Sequence, residues 1–324
     1  MTTKEMILQL FEEHRGVYFS GEEIAKKLSV SRSAVWKAVK NLQSEGYEID
    51  AATNKGYRLS ESTDIISFQG IQKYLNDDLK KMDIKVLPSV TSTNTLLKER
   101  ANEGALEGCM VLANEQTKGR GRVGHAFYSP DGTGIYMSLL LRPEQFSERQ
   151  AVRITTMAAV AVCEAVEAVS DEKAEIKWVN DIFVRGKKIC GILTEGSFDM
   201  ESGKMDYAVL GAGINVYEPE GGFPGDIDHI AGAVFRKRQQ DVKNRMIAEF
   251  LNRFFDYYKN SDYTEYVEAY RNRSMVIGKD VVCMLGDKKR NARVLGIDDD
   301  CHLLIQYEDG TEDNYSSGEI SIRI

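Results

Sequence analysis

The sequence predicts a multidomain α+β chain, and three observations predict it. Its 324 residues, 42% hydrophobic and 28% charged, suffice for about two or three domains of roughly 100 to 200 residues each. Hydrophobic spacing changes along the chain, from threes and fours at the amino terminus, through mixed strand-like and helical runs, to alternation after residue 275. Only five prolines interrupt it, which excludes disordered and collagen-like chains.

The first element is a helix over Lys4 to Glu13, where Met6, Ile7, Leu10 and Phe11 recur on one face. A short helix follows from Gly21 to Leu28, then a turn at Ser29-Val30-Ser31. Ser31 is a suitable N-cap for a third helix that turns Val35, Ala38, Val39 and Leu42 inward and leaves Arg32, Ser33, Trp36, Lys37 and Lys40 outward. The runs Tyr47 to Asp50 and Tyr57 to Leu59, separated by Thr53-Asn54-Lys55-Gly56, read as a hairpin. Three helices and a hairpin make a winged helix-turn-helix domain, residues 1–62.

Charge singles out the same region. Formal net charge is −8, yet residues 1–60 carry nine bases against eight acids, and no acid interrupts Lys26, Lys27, Arg32, Lys37 and Lys40 between Ile24 and Gln43. The third helix would lie in a DNA major groove with Arg32, Ser33, Trp36 and Lys37 nearest the bases. Lys40 extends the basic face, and Lys55 and Arg58 on the wing reach phosphates. Such modules also serve as dimerisation or protein-binding units, in which Trp36 covers a contact.

Residues Glu61 to Ile66, short and polar, read as a linker into a helix at Ser67 to Leu75. Strand-like runs follow at Ile84 to Leu87, Cys109 to Ala113, Gly134 to Leu141, Ala174 to Trp178, Lys188 to Glu195 and Tyr207 to Ile214. Helical spacing fits Asn94 to Asn102, Gln150 to Val169 and Val242 to Lys259. The result is a central α+β domain with a mixed sheet, residues 63–272.

Within it, Gly119-Arg-Gly-Arg-Val-Gly124 matches the dinucleotide fingerprint, which requires a helix to open inside the motif. The Pro130-Asp131-Gly132 turn leaves no room for that helix, so a dinucleotide site is excluded. No Walker A sequence occurs. The loop combines three glycines with two arginines able to pair with anionic oxygens, and reads either as a phosphate clamp or as an exposed turn.

Four blocks then stand in order: Ser92-Thr93-Asn94; Gln116 to Gly124; Lys177-Trp-Val-Asn-Asp181 with Lys188 to Leu193; and Gly211-Ala-Gly-Ile-Asn215. Each alone has a plain structural explanation, a helix cap or a strand end. Together they resemble the biotin protein ligase family. With the winged helix in front, the whole chain is similar to its bifunctional bacterial members, biotin operon repressor and biotin-[acetyl-CoA-carboxylase] ligase in one polypeptide. The resemblance implies adenylation of biotin by ATP, then transfer from biotinyl-5'-AMP to a lysine of a biotin carboxyl carrier protein. It also implies binding to operator DNA of biotin genes, a homodimer when loaded with adenylate, and Mg accompanying ATP.

The resemblance assigns residues as well. Ser92, Thr93, Asn94 and Gln116 fall on the ureido-binding set, whose hydroxyls and amides suit a neutral planar urea. Biotin contacts extend to Arg120, Gly121, Arg122, Lys188, Gly191 and Gly211. Arg120 and Arg122 match the adenylate-gripping arginines, and Lys188 the lysine at the acyl phosphate. These three are the expected electrostatic catalysts, since the reaction needs fixed cations and no protein nucleophile. Lys177, Asn180, Asn215 and Arg323 are expected at the nucleotide, and Asn180 and Asp181 are candidates for holding the Mg, with a turn cap as the equal alternative for Asp181. Gly213, with Gly211, is expected to let backbone approach the ligand. The chain has Val123 and His125 where the best-known repressor of the family has further arginines, Phe127 in place of tryptophan and Val179 in place of proline.

After Met275, alternation at Val281, Cys283, Leu285 and at Leu303, Ile305, Tyr307 suggests a small β-barrel, residues 273–324, which resembles the SH3-like carboxyl domain of the family. Asp298-Asp-Asp300 reads as a solvated turn rather than a cation site. Five cysteines without a C-x-x-C pair read as reduced packing residues. The amino terminus has no secretion-signal pattern, so the chain is expected in the cytoplasm. Two other readings remain: a biotin-sensing transcriptional regulator without ligase activity, and a lipoate ligase on the same scaffold.

Overall fold

Two compact units make up the chain, Met1–Lys80 with Lys237–Ala248, and Lys81–Arg236 with Glu249–Ile324. The computed structural model describes residues 1–143, 146, 150–198, 204–260, 262–285, 288–316 and 318–322.

In the first unit, helices α1 (Thr3–Glu13), α2 (Gly21–Leu28) and α3 (Arg32–Ser44) are followed by the hairpin β1 (Ile49–Ala52) and β2 (Gly56–Leu59) and by α4 (Phe68–Gln72). Capping boxes start α1 (Thr2 with Glu5) and α2 (Ser20 with Glu23), and the Ser31 hydroxyl caps α3. Each satisfies backbone N–H groups that a helix start leaves without partners. Ile7, Phe11, Ile24, Val35, Leu42 and Leu59 close one core beneath the three helices and the wing. The hairpin pairs Ile49 with Leu59 and Ala52 with Gly56, two residues later on its first strand than the sequence suggests. Tyr47 is instead buried ahead of the strand, its N–H donating to Leu42 O.

The expected linker is not a free connector. Thr63, Asp64 and Ile66 are buried. Asp64 Oδ1 accepts from Lys243 N at 2.9 Å, and Asn244 accepts from Ser67 N while donating to Ile65 O. Asp64 and the Ile65 carbonyl therefore tie this stretch to Lys243 and Asn244. The following helix is only Phe68–Gln72, because the chain turns immediately after it. Around the same segment, Glu12, Arg15, Lys73 and Asp241 form a balanced cluster of two acids and two bases. Arg15 reaches both acids at 2.8 Å, and Lys73 reaches Glu12 at 2.8 Å and Asp241 at 2.6 Å. Tyr74 donates its hydroxyl to Asp241 at 2.8 Å.

The second unit is built on a seven-stranded sheet of β3 (Ile84–Val90), β4 (Met110–Gln116), β5 (Gly134–Leu141), β6 (Ala174–Lys177), β7 (Asp181–Val184), β8 (Lys187–Phe198) and β9 (Met205–Asn215). The order is β3-β4-β5-β9-β8-β7-β6, with β3 and β4 parallel and every other pair antiparallel, so the sheet is mixed. β5 is buried at every position, the continuous apolar run expected of a central strand. Helix α5 (Thr93–Asn102) packs on β4, β5 and β9, and α6 (Ala151–Val169) packs on β6, β7 and β8. Helix α8 (Thr264–Asn272) and the part of α7 (Val242–Lys259) from Glu249 onward complete this unit's helical set. The longest run of α7 aromatics, Phe250, Phe254 and Tyr258, stacks at four-residue spacing. No helix among the described residues is long and apolar enough to cross a membrane.

The tail strands β10 (Asp280–Leu285), β11 (Lys288–Ile297), β12 (Leu303–Tyr307), β13 (Glu312–Tyr315) and β14 (Glu319–Ile322) form an antiparallel sheet in the order β13-β12-β11-β10-β14. The expected barrel is not confirmed: among the described residues the strands pair as an antiparallel sheet with β13 and β14 at its edges. The Asp298-Asp-Asp300 turn is exposed at Asp299 and Asp300, as expected of a solvated turn, and it also carries ion pairs. Asp299 pairs with Arg271 at 2.6 Å and Asp300 with Arg153 at 2.6 Å, while Asp298 accepts from the backbone N–H groups of Asp300 and His302. Arg271 also donates to Ile297 O at 2.7 Å, and Trp178 Nε1 donates to Cys301 O at 3.0 Å. The turn is the clasp that holds the tail sheet to the rest of the unit. Trp178→Phe removes a buried donor and is expected to lower the stability of this unit by about 1–2 kcal/mol, read as a drop in its melting temperature.

Candidate active site

The four sequence blocks meet at one end of the seven-stranded sheet. A cavity of about 280 Å³ is lined by Arg120, Arg122, Lys177, Trp178, Asn180, Asp181, Lys188, Gly191 and Ile230, among others. Beside it lies a crevice of about 20 Å³ lined by Ser92, Thr93, Asn94, Gln116, Met137, Gly211 and Gly213. Arg120, Phe127, Gly191 and Leu193 line both.

The crevice is built from a helix start and two strands. Ser92 caps α5 through its side chain, which fixes Thr93 and Asn94 on the first turn. Thr93 donates from its backbone N–H to Gln116 Oε1 at 2.9 Å, and Gln116 Nε2 donates to Ser129 Oγ at 3.0 Å. Ser138, fully buried on β5, places its hydroxyl 2.7 Å from Thr93 Oγ1 and 2.6 Å from Asn94 Oδ1. Asn94 Nδ2 donates to Leu193 O and Glu195 Oε2 at 3.2 and 3.0 Å. A Cβ on Gly211 would lie 2.1 Å from Asn94 Oδ1, and one on Gly213 would lie 2.4 Å from the Phe127 ring. The side chains of Asn94 and Phe127 thus occupy the space the two glycines leave open, where the sequence suggested a direct approach of ligand to backbone.

The larger cavity is cationic. The glycine-rich loop contains a single 3-10 turn, Arg122–Gly124, in place of a helix, and folds back on itself through Gly121 N to His125 O and Phe127 N to Gly119 O. Arg122 donates to Asn180 Oδ1 at 3.2 Å, and Asn180 Nδ2 donates to Ile192 O at 2.8 Å. Lys188, next to the start of β8, pairs with Asp181 at 2.6 Å. Four cations and one carboxylate, Asp181, line this space, a balance that suits an anion. The segment after β9 is fastened beside Lys188, whose N–H donates to Ile230 O and whose carbonyl accepts from Gly232 N. Lys187 adds bonds to Asp228 O and His229 O.

Most of the sequence candidates converge here, and a few lie elsewhere. Asn215 lines neither space, and its Nδ2 donates to Gly232 O at 3.1 Å. Arg323 lies outside the described residues. No cluster of three metal-ligating side chains exists among the described residues. All five cysteines are free and buried. Burial pushes the Cys301 thiol up to about 11 and Cys190 well above its ordinary value, so neither supplies a thiolate nucleophile at neutral pH. Sequence reasoning missed Ser138, Ser129 and Glu195. Only Glu195 carried a signal, an acid two residues past Leu193 on the strand that also carries Lys187 and Lys188.

On the first unit, α3 leaves Arg32, Ser33, Trp36, Lys37 and Lys40 exposed, and a groove runs between Arg32, Ser33, Trp36 and the wing residues Ala51 to Asn54. Lys55 is exposed on the wing, while Arg58 is engaged with Asp50 at 2.8 Å and stacks over Tyr18.

Three family models match the chain: HTH domain over residues 3–58, Biotin/lipoate A/B protein ligase family over 86–215, and Biotin protein ligase C terminal domain over 276–323. Bifunctional ligase/repressor BirA of Bacillus spizizenii is 32% identical over 98% of both chains. The chain belongs to this bifunctional ligase/repressor family. The Escherichia coli BirA is 27% identical over 95% of this chain and 94% of its own. Among solved structures, the biotin protein ligase from Aquifex aeolicus in complex with biotin and ATP superposes with a TM-score of 0.62 at 28% identity, covering 74% of this chain and 98% of its own. Family membership accounts for both surfaces, the helix-turn-helix face and the cationic cavity, in a single polypeptide.

Proposed function

We propose that the chain activates biotin with ATP, transfers it to a lysine of a carboxylase carrier protein, and represses biotin genes through its winged helix. One observation carries the enzymatic half: Arg120, Arg122, Lys177 and Lys188 converge on a cavity that adjoins a crevice of uncharged hydroxyls and amides. A neutral urea ring suits the crevice, and phosphates suit the cations.

A carboxylate oxygen of biotin attacks the α-phosphorus of ATP, the bond to the β-phosphate bridging oxygen breaks, and pyrophosphate leaves. The carrier's lysine, as the free amine, then attacks the acyl carbon and expels AMP. Arg120, Arg122 and Lys188 are fixed before reaction and stabilise the charge that gathers on the phosphoryl oxygens. Lys177 and Asn180 line the nucleotide end, and Gly121 and Gly191 flank the seat of the acyl group. Magnesium would accompany ATP; among the described residues Asp181 is paired with Lys188 and no cluster of three metal-ligating side chains surrounds it, so the protein offers no built site for the ion there.

Biotin-dependent exchange of labelled pyrophosphate into ATP tests this reading, with lipoate in parallel. Exchange with biotin alone is the expected result; biotin binding without exchange would make the chain a sensor instead. Gly211→Ala, which drives a methyl into Asn94, is expected to weaken biotin binding at least about ten-fold in calorimetry.

For the regulatory half, the exposed bases of α3 and the wing support DNA contact, and the reading includes a homodimer formed by the adenylate-loaded protein. The adenylate must then favour the dimer energetically, since equal affinity for both states would shift nothing. Lys37→Ala is expected to reduce the slope of log affinity against log salt by about one in anisotropy titrations. The five free cysteines and the demand for ATP fit a cytoplasmic protein.

A further inference from the structure

Glu195 grips the glycine-rich loop through Arg120, and on electrostatic grounds an acid there is out of place. A carboxylate close to a phosphate site repels the ligand unless its charge is spent elsewhere. Here it is spent in three directions: Lys98 donates to Oε1 at 3.2 Å, Asn94 donates to Oε2 at 3.0 Å, and Arg120 reaches Oε1 at 3.2 Å and Oε2 at 3.4 Å. Burial opposes ionisation of Glu195, but the bonds from Asn94 and Lys98 and the charges of Lys98 and Arg120 outweigh it and hold the carboxyl below its ordinary range.

Those partners belong to different parts of the site. Asn94 fixes the crevice, and Arg120 belongs to the loop that faces the phosphate. From Asn94 Oδ1 the bonds continue through the Ser138 and Thr93 hydroxyls, the Thr93 backbone N–H, Gln116 and Ser129, whose hydroxyl donates to Phe127 O at 2.9 Å. Arg120 and Phe127 stand at opposite ends of one loop, so the chain of bonds leaves the loop at Arg120, crosses the crevice and returns to the loop at Phe127.

We propose that Glu195 is a positioning residue that couples the seating of the biotin ring to closure of the arginine loop. It holds Arg120 over the site before nucleotide arrives. When the phosphate takes Arg120, Asn94 and Lys98 keep the carboxylate paired, so the arginine exchanges one anion for another without stranding either. Biotin seated against Asn94 stiffens the amide that anchors Glu195, and thereby the loop that must grip ATP. The inference rests on the ligase reading above.

The test uses full-length Glu195→Gln and Glu195→Ala beside the wild type. Glutamine keeps an acceptor for Asn94 but loses the charge that holds Arg120. Glu195→Gln should leave the biotin dissociation constant within about two-fold, raise KM for ATP about five-fold, and speed tryptic cleavage at Arg120 or Arg122 in the free protein. Glu195→Ala should weaken biotin binding as well, since Asn94 loses its partner. Wild-type KM and cleavage rate in Glu195→Gln would overturn the proposal, and so would a lowered KM, which would make the contact inhibitory. Equal losses for biotin and ATP in both variants, tracking a lowered melting temperature, would reduce Glu195 to a structural role and overturn it too. A wild type that neither binds biotin nor exchanges pyrophosphate would strike down the ligase reading itself, and this inference with it.

Discussion

Lys188→Ala should lower biotin-dependent pyrophosphate exchange by roughly two to three orders of magnitude, the cost of removing one pre-positioned cation from a developing charge. The far-ultraviolet circular dichroism and the melting temperature should stay close to wild type. Lys188 contributes to the fold through its backbone, paired with Ile230 and Gly232, and among the described residues its side chain pairs with the Asp181 carboxylate, which is 20% exposed. Asp181→Asn serves as the control. If the ammonium acts on the phosphate directly, removing its carboxylate partner leaves the charge in place and costs far less than removing the ammonium. Undiminished exchange by a folded Lys188→Ala protein would take Lys188 out of its assigned role. Equal losses in the two variants would mean that the pair, rather than the cation, is what the reaction needs.

The second large effect is on stability. Asp241→Ala should destabilise the first unit by about 3 kcal/mol, because it leaves Arg15 and Lys73 sharing the single buried acid Glu12. The side chains involved are mostly covered, between 1% and 17% exposed, so solvent screening does little to relieve the imbalance. Urea unfolding followed through the first unit measures it. The double variant Asp241→Asn with Lys73→Met restores charge balance and should recover most of the loss. A single-variant loss below about 1 kcal/mol would mean that the cluster behaves as an ordinary surface network.

The helices of the first unit were legible because their apolar spacing and their caps agree, as at Ser31 and in the run Val35 to Leu42. The central strand β5 was legible for the opposite reason, since an unbroken apolar run leaves little choice. Strand β7 was not, because four residues entered directly from the Lys-Trp-Val-Asn block carry too little periodicity to announce a strand. Helix α8 also escaped the spacing analysis, although Tyr266, Val267 and Tyr270 mark one buried face.

For the site, residue types at motif positions were readable, and so was their chemistry. What one chain cannot show is which partner a charge meets. The aspartates of 298–300 look like any acidic turn until Arg153 and Arg271 are found opposite them. Glu12 looks like one more exposed helix acid until Lys73 and Arg15 close over it, and the polar stretch 61–66 looks like a tether until Asn244 is found paired with it. Long-range pairing decided all three, and no local pattern encodes it.

The first unit draws its last partners, Asp241, Lys243 and Asn244, from residues far along the chain. A ribosome making this protein releases the three helices and the wing early, yet the acid that balances Arg15 and Lys73 emerges only after the strands β3 to β9 have been synthesised. The part that reads DNA is therefore finished late in translation, so a chain broken off before residue 237 has its recognition helix but lacks the segment that completes the unit carrying it.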